Sequence, residues 1–304
     1  MNMKVMNRMI WSLLFSISFF SCNANADYPG KAATEKEGKK TKKNRDAGGE
    51  AASTAVAVIK KWDMPPVLQE VSGIAWLGNN RFACVQDEAG VIFVYNTGTA
   101  KIEKQISFGA AGDYEGIALA GKTAYIVRSD GKIFAVNTLD SPQPEIEEFT
   151  TPLTANNNVE GITYDQKNKR LLLAIKGAET GSRSFKGVYA FDLNTKKLLP
   201  EPIFKLNLAD SALSGYKGKN LNNAIQPSEI AVHPLTGLIY ITEATNPQLF
   251  VLQPDGKIKS RFKLDGGAFS QPEGLAFSPE GDLYISNEGK KGYGNILKVQ
   301  IENL

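Results

Sequence analysis

The sequence predicts an all-β fold, a five-bladed β-propeller of four-stranded antiparallel blades closed by the N-terminal strand. One short phrase, Ser or Glu followed by Gly, an aliphatic residue and Ala or Thr, recurs five times, with Glu229 in place of the glycine in the fourth copy. The copies lie 43, 45, 68 and 45 residues apart, a spacing typical of propeller blades. The last copy lacks a fourth strand, whereas a strand-like segment precedes the first copy. The copies are Ser72–Trp76, Glu115–Leu119, Glu160–Tyr164, Ser228–Val232 and Glu273–Phe277.

Each copy predicts the strands of one blade, because runs of Ile, Val, Leu, Tyr and Phe alternate with turns of Gly, Asn, Asp and Pro. The repeated phrase is the first strand. Second strands are predicted at Arg81–Gln86, Thr123–Arg128, Arg170–Ile175, Leu238–Thr242 and Asp282–Ser286. Third strands are predicted at Val91–Asn96, Lys132–Asn137, Gly187–Leu193, Gln248–Gln253 and Asn295–Ile301. Fourth strands are predicted at Lys101–Phe108, Glu145–Thr150, Pro202–Leu206 and Lys257–Lys263.

The ring is expected to close by pairing of the two ends of the repeat region. The fifth copy reaches Leu304 without a fourth strand, and Ala55–Trp62 reads as the missing one. Pairing it with the last blade removes an open sheet edge. The 68-residue spacing leaves only about 23 extra residues, too few for four more strands of about 5–6 residues and their turns. The prediction is therefore five blades.

Residues 1–54 are predicted to lie outside the propeller. An uncharged apolar stretch at residues 9–20 follows two basic residues, so we predict a signal peptide over residues 1–22. The residues before Cys22 resemble a bacterial lipobox, which predicts lipidation of that cysteine and a membrane-anchored lipoprotein of the cell envelope. Cleavage after Ala26 would instead give a soluble periplasmic or secreted protein. The Lys-rich residues 23–54 are predicted to be a disordered linker, and residues 55–304 the propeller domain.

The positive charge of the chain lies in its N-terminal part. Residues 1–54 carry 9 Lys and Arg against 5 Asp and Glu, which leaves the rest of the chain at a formal charge of −1. A nucleic-acid-binding domain is usually strongly basic, so nucleic acid is not an expected partner. We expect a monomer that contacts the membrane only through a lipid anchor.

One face of the ring is predicted to carry the functional residues. In an antiparallel meander, the start of the first strand and the end of the second strand lie at the same face, and the long connections 177–186, 208–226 and 289–294 fall there too. Acidic residues occupy many of these positions: Glu115, Glu160 and Glu273 at first-strand starts, and Asp87, Glu243 and Glu288 at second-strand ends.

Carboxylates that converge near a narrow axis must take up protons, pair with cations or bind a metal. Lys176 ends a second strand and could pair with some of them. Oxygen ligands without His or Cys favour Ca²⁺, so we predict a calcium site near the axis, with Asn158 as a neighbouring donor. The alternative is that these polar residues hydrogen-bond the backbone of the next blade. A ligand pocket on this face would be lined by Asp87, Tyr114, Asn158, Lys176 and Tyr293.

Nucleophilic catalysis is not predicted. The only histidine, His233, follows a first strand and belongs to the opposite face, which argues against a Ser-His-Asp or Cys-His centre. Metal-assisted hydrolysis with a carboxylate base such as Asp87 or Glu288 stays open.

The repeated Ser/Glu-Gly-Ile/Leu-Ala phrases and the second strands that end near Ser/Thr-(Asn)-Glu resemble the SdiA-regulated (YjiK-like) family, exported bacterial proteins distantly similar to NHL-repeat propellers. The resemblance covers about residues 56–301. It implies a five-bladed propeller with a bound calcium ion. It does not by itself imply an enzymatic activity. Carried over by position, it implies Glu115, Glu160 and Glu273 as metal ligands, with Glu243 and Glu288 behind them. The fourth copy departs from the pattern at Ser228-Glu229, so the site would be asymmetric.

Two functions follow as hypotheses. The first is a lipid-anchored propeller of the cell envelope that binds Ca²⁺ at its axial face and takes a small molecule, a glycan or a protein as partner. The alternative is a calcium-dependent hydrolase of the lactonase or phosphoesterase type, an analogy that rests on the fold alone.

Overall fold

Five antiparallel sheets form the blades of a propeller in the computed structural model, which describes residues 56–215 and 220–302. The described chain begins with β1 (Val56–Asp63), which belongs to blade 5. Blade 1 contains β2 (Val71–Gly78), β3 (Arg81–Gln86), β4 (Val91–Asn96) and β5 (Lys101–Ser107), and blade 2 contains β6 (Tyr114–Ala120), β7 (Thr123–Arg128), β8 (Ile133–Asn137) and β9 (Glu145–Phe149). Blade 3 contains β10 (Val159–Asp165), β11 (Arg170–Ile175), β12 (Phe185–Asp192), β13 (Lys197–Leu198) and β14 (Phe204–Asn207). Blade 4 contains β15 (Pro227–Val232), β16 (Ile239–Glu243), β17 (Gln248–Leu252) and β18 (Ile258–Lys263), and blade 5 adds β19 (Pro272–Phe277), β20 (Leu283–Asn287) and β21 (Asn295–Ile301) to β1.

The predicted closure of the ring is confirmed. Strand β1 pairs antiparallel with β21, from Val56 opposite Ile301 to Asp63 opposite Asn295, with one irregularity after Val58. The chain therefore supplies the outermost strand of blade 5 from its N-terminal side. This pairing satisfies backbone groups that would otherwise form an open sheet edge.

Blade 3 differs from the prediction in its outer part. The predicted fourth strand is observed as β14, and a two-residue strand, β13, also pairs with β12 next to it. The residues that lengthen the third repeat spacing form two short 3₁₀ helices in the described part of the chain, Ser211–Leu213 and Leu221–Asn223. The long spacing is thus an insertion between blades 3 and 4, in agreement with five blades.

The hydrophobic core lies between neighbouring blades. Each of five clusters of buried side chains joins two adjacent sheets, because the alternating residues of one sheet face those of the next. Between blades 1 and 2, for example, Ile92 and Ile106 pack with Ile126 and Phe134. This arrangement holds the innermost strands β2, β6, β10, β15 and β19 at fixed positions around the axis.

The two faces of the ring follow from the strand pairing. Val159 at the start of β10 lies opposite Ile175 at the end of β11, and Pro272 at the start of β19 lies opposite Asn287 at the end of β20. First-strand starts and second-strand ends therefore share one face, as predicted. We call it the axial face.

The predicted signal peptide, lipidation at Cys22 and linker lie outside the described residues. The part of the chain that the structure describes contains no helix of the length and apolar character needed to cross a membrane.

Candidate functional site

Every innermost strand carries a β-bulge at the same position, close to the axial face. The pairing of β6 with β7 passes from Tyr114 to Gly116 and leaves Glu115 as the extra residue. The same shift leaves Glu160 in β10 and Glu273 in β19 unpaired. A bulge of this kind bends the strand and redirects the side chain of the extra residue. The three predicted metal-site glutamates are thus the bulge residues of blades 2, 3 and 5.

Blades 1 and 4 carry serine at the equivalent bulges. The extra residues there are Ser72 and Ser228. The Ser228 hydroxyl donates to the Pro272 carbonyl of blade 5 at 2.6 Å, which ties one blade to the next. The alternative prediction, that polar residues at this position hydrogen-bond the neighbouring blade, therefore holds for Ser228.

The bulge glutamates share their surroundings with one lysine. The Nζ of Lys176 lies 3.0 Å from Oε2 of the buried Glu160, and Nδ2 of Asn158 donates to Oε1 of the same carboxylate at 2.6 Å. Gln271 donates from Nε2 to Oε1 of Glu273 at 3.0 Å. These contacts leave more carboxylates than cations beside the axis.

The carboxyl groups of the site affect one another electrostatically. Burial raises the pKa of Glu115 to about 10, and the charges of Glu160, Asp113 and Glu273 add to the effect. Burial and then Glu160 raise the pKa of Glu273 to about 8. Burial alone would lower the pKa of Lys176, but the nearby glutamates outweigh it and raise that pKa. At neutral pH these carboxyl groups favour either a proton or a cation.

A fourth carboxyl group, that of Glu229, was not among the predicted site residues. Glu229 occupies the glycine position of the repeat in blade 4 and is fully buried. Its Oε1 accepts from the backbone N–H of Ile162 at 2.7 Å and of Ile230 at 2.9 Å, and so bridges blades 3 and 4. Its Oε2 is buried without a hydrogen-bond partner and would lie 3.2 Å from a Cβ atom placed on Gly116 of blade 2.

The position of Glu229 places its carboxyl group at the axis. Burial raises its pKa well above the usual range, and the charges of Glu273 and Glu160 raise it further. A glutamate in place of a repeated glycine was the sequence signal for this role. We call Glu115, Glu160, Glu229, Glu273 and Lys176 the axial cluster.

One of the remaining predicted acids, Glu288 of blade 5, adjoins the axial cluster through Gln271, and Asp87 of blade 1 is affected by the charge of Glu288. Gln271 Nε2 also donates to Glu288, which links this carboxylate to Glu273. Burial raises the pKa of Asp87 to about 6, with further contributions from Glu70, Glu88 and Glu288. The acidic character of the axial face therefore extends outward between blades 5 and 1.

Glu243 belongs to a different network. Its Oε2 accepts from Gln248 Nε2 at 2.6 Å, and burial raises its pKa to about 7. The buried Lys186, also missed from the sequence, lies near it and donates from Nζ to the Lys176 carbonyl. Lys186 thus fixes the backbone of Lys176, and its own pKa is lowered to about 8 by burial.

The two predicted aromatic residues of the ligand-binding face differ in location. Tyr293 lies on the loop between β20 and β21 and is 61% exposed. Tyr114 is only 1% exposed, packs against Phe108 and Phe134, and donates its hydroxyl to the Ala110 carbonyl at 2.8 Å. Tyr114 is therefore a core residue, and its prediction as a ligand-contacting residue is wrong.

Two large cavities of the described part of the molecule are not lined by the axial glutamates. One, of about 930 Å³, lies beside the connection between β11 and β12, where Glu179 and Arg183 line it. The other, of about 900 Å³, opens at the face opposite the axial cluster between Trp76, Tyr164 and Phe277. His233 also lines this second cavity, as its predicted place on the opposite face requires.

The axial cluster has the donor chemistry of a calcium site but not a ready coordination shell. All of its acidic ligands are hard oxygens, and Glu229 contributes a buried oxygen without a partner. However, within residues 56–215 and 220–302 no group of three or more His, Cys, Asp or Glu side chains stands in an arrangement that could hold a metal ion. Among the axial glutamates, Glu160 is paired with a cation, the ammonium group of Lys176.

Residues 51–293, which include most of the closed five-bladed ring and its five bulges, match the model of the SdiA-regulated family. The chain belongs to the SdiA-regulated family. The match covers four of the blades completely and most of the fifth. The resemblance inferred from the repeated phrases is thereby confirmed.

Solved structures similar to this member of the SdiA-regulated family share its fold at low sequence identity. Glutaminyl cyclase from Myxococcus xanthus matches with a TM-score of 0.54 and 14% identity, over 81% of this chain and 96% of the cyclase. A protein of unknown function from Bacteroides thetaiotaomicron matches with a TM-score of 0.50 and 15% identity, over 76% of this chain and 58% of that one. At these identities the likeness shows the fold alone. No curated protein is significantly similar in sequence.

Proposed function

We propose that this propeller is a binding module of the cell envelope whose axial cluster takes a calcium ion. The observation that carries the proposal is the convergence of four carboxyl groups at the axis. Those of Glu160 and Glu229 are buried and those of Glu115 and Glu273 are partly buried, and one oxygen of Glu229 has no hydrogen-bond partner. Buried carboxylates are stable only when they are protonated, paired or bound to metal. One lysine cannot balance all of them at neutral pH.

Four residues would hold the ion, namely Glu115, Glu160, Glu273 and Glu229. Ca²⁺ accepts irregular sets of six to eight oxygen ligands, which suits donors from four different blades better than the strict octahedron of Mg²⁺ does. When bound, the ion would neutralise the axial cluster and could offer a coordination position to a ligand. The acidic side chains of Asp87 and Glu288 and the exposed Tyr293 would then surround the partner, a small molecule, glycan or protein.

A calcium titration of the EDTA-treated protein tests this proposal. The wild type is expected to bind Ca²⁺ and to prefer it to Mg²⁺, and the variant Glu115→Gln/Glu160→Gln/Glu273→Gln to bind at least about 100-fold more weakly, because it loses three charged ligands. A matched variant, Glu103→Gln/Glu145→Gln/Glu201→Gln, removes three exposed acids from the outer parts of blades 1–3 and should bind like the wild type. Equal binding by all three proteins would refute an axial site.

The hydrolase hypothesis keeps support from one residue. Asp87 is half-buried and its pKa of about 6 suits a general base near neutral pH. If the protein is a hydrolase, Ca²⁺-dependent turnover of lactones or phosphoesters should disappear in Asp87→Asn while Ca²⁺ binding persists. If neither lactones nor phosphoesters are hydrolysed, the hydrolase hypothesis is rejected and the binding-module hypothesis remains.

The proposed place in the cell envelope rests on the sequence before residue 56. Lipidation at Cys22 predicts a mature protein that starts at this cysteine and carries acyl chains, which give the anchor. Mass spectrometry of the mature N-terminus distinguishes this form from a soluble protein that begins at Asp27.

A further inference from the structure

Lys176 is held so that only its side chain can leave the axial cluster. Its backbone N–H donates to the Asn158 carbonyl at 2.9 Å, and its own carbonyl accepts from Lys186 Nζ. Its ammonium group reaches Glu160 Oε2 at 3.0 Å, while 27% of the side chain is still exposed to solvent. The ammonium therefore has a path out of the cluster that needs no movement of the backbone.

The ammonium group and a metal ion would compete for the same oxygens. A metal ion that binds Glu160 Oε2 would lie only a few Å from the ammonium group already paired with this oxygen. Two positive charges that close repel each other strongly in a partly buried site. Within the described residues, no three carboxylates stand in an arrangement that could hold a metal ion. This agrees with the competition, because the lysine already pairs with one of the glutamates. A lysine on a flexible four-carbon stem can be displaced where a rigid arginine fork could not.

We propose that Lys176 is a tethered cation that occupies the axial cluster in the metal-free protein and swings out when a divalent cation enters. This inference rests on the proposed calcium function and adds its regulation. Without metal the lysine holds the buried carboxylate of Glu160 in place, and it weakens metal binding. It also favours divalent over monovalent cations, because a single charge gains little by replacing another.

Replacement of Lys176 tests the competition directly. In Lys176→Met, Ca²⁺ affinity measured by calorimetry is expected to rise at least about tenfold, since the ion no longer has to displace an ammonium group. Lys176→Gln serves as a second variant if the methionine impairs folding. Lys132→Met is the matched control: Lys132 pairs with Glu148 at 2.9 Å and is 28% exposed, but it lies outside the cluster.

A second measurement follows the lysine itself in the wild type. If Ca²⁺ displaces the ammonium group, acetylation of Lys176 by acetic anhydride, read by mass spectrometry, should speed up several-fold on addition of Ca²⁺. The acetylation rate of Lys132 should not change. Equal rates at Lys176 with and without bound Ca²⁺ would overturn the inference.

The outcomes separate this inference from the proposed function. Calcium binding that is equal or weaker in Lys176→Met than in the wild type overturns the competition but leaves the calcium site. Binding by Lys176→Met alone supports the competition and refutes calcium as the ion of the native chain. Binding by neither protein refutes both.

Discussion

The substitution Gly161→Ala is expected to destabilise the propeller by about 3 kcal/mol. A Cβ atom at Gly161 would lie 2.8 Å from the Ile230 nitrogen and 3.0 Å from the Glu229 Cα and carbonyl carbon. All three are backbone atoms of the next blade, so no side chain can turn away. The added carbon must push blade 3 from blade 4 or distort β15. Urea-induced unfolding would measure the loss.

The matched control for this prediction is Gly266→Ala. Gly266 is exposed, no atom would lie within 4 Å of its added Cβ, and its backbone does not need the left-handed region. This variant should stay within about 0.5 kcal/mol of the wild type. If Gly161→Ala were equally mild, the innermost strands would not be held as closely as the structure shows, and the alignment of the axial cluster would lose its basis.

The architecture could be predicted because each blade of a propeller repeats a similar sequence pattern at a regular spacing. Blade number followed from five repeated phrases, and the closure by β1 followed from a strand missing at one end and present at the other. The outer part of blade 3 could not be predicted to the same detail. Strand β13 has only two residues, Lys197 and Leu198, which are too few for a hydrophobic alternation to mark it.

The site was predictable in its residue types but not in its contacts. Topology placed Glu115, Glu160 and Glu273 together, whereas the bulges that redirect them depend on backbone pairing, for which the sequence offers only the recurring phrase. The wrong prediction for Tyr114 has the same origin. A residue next to a bulge leaves the simple in-and-out alternation of a strand, and Tyr114 turns toward Phe134 in the core.

Glu229 is a site residue that the sequence did not predict. In the repeat, Glu229 replaces the glycine of the other copies. A charged side chain at such a crowded position suggests a weakened repeat. In the folded ring the Glu229 side chain reaches toward the axis, and its carboxylate accepts from two backbone N–H groups. Its role thus depends on three blades meeting.

In EDTA, the free energy of unfolding of the wild type is expected to fall as the pH rises from 5 to 7.5. Burial and mutual repulsion raise the pKa of Glu115 to about 10 and that of Glu273 to about 8, against about 4.3 in the unfolded chain. In this window the folded protein keeps protons that the unfolded chain has released. Each retained proton costs about 1.4 kcal/mol of stability per pH unit.

The variant Glu115→Gln/Glu160→Gln/Glu273→Gln should show a clearly smaller slope and exceed the wild type in stability at pH 7.5. Part of the slope should persist, because Asp87, with a pKa of about 6, and Glu243, with one of about 7, titrate in the same direction. The window ends at pH 7.5 because the pKa of Lys186 is lowered to about 8. Above that pH, Lys186 makes the free energy of unfolding rise with pH, opposite to the carboxyl groups. Urea unfolding at several pH values gives both slopes. Equal slopes would mean that the axial glutamates are ionised without a metal, and Lys176 would then suffice as their counter-ion.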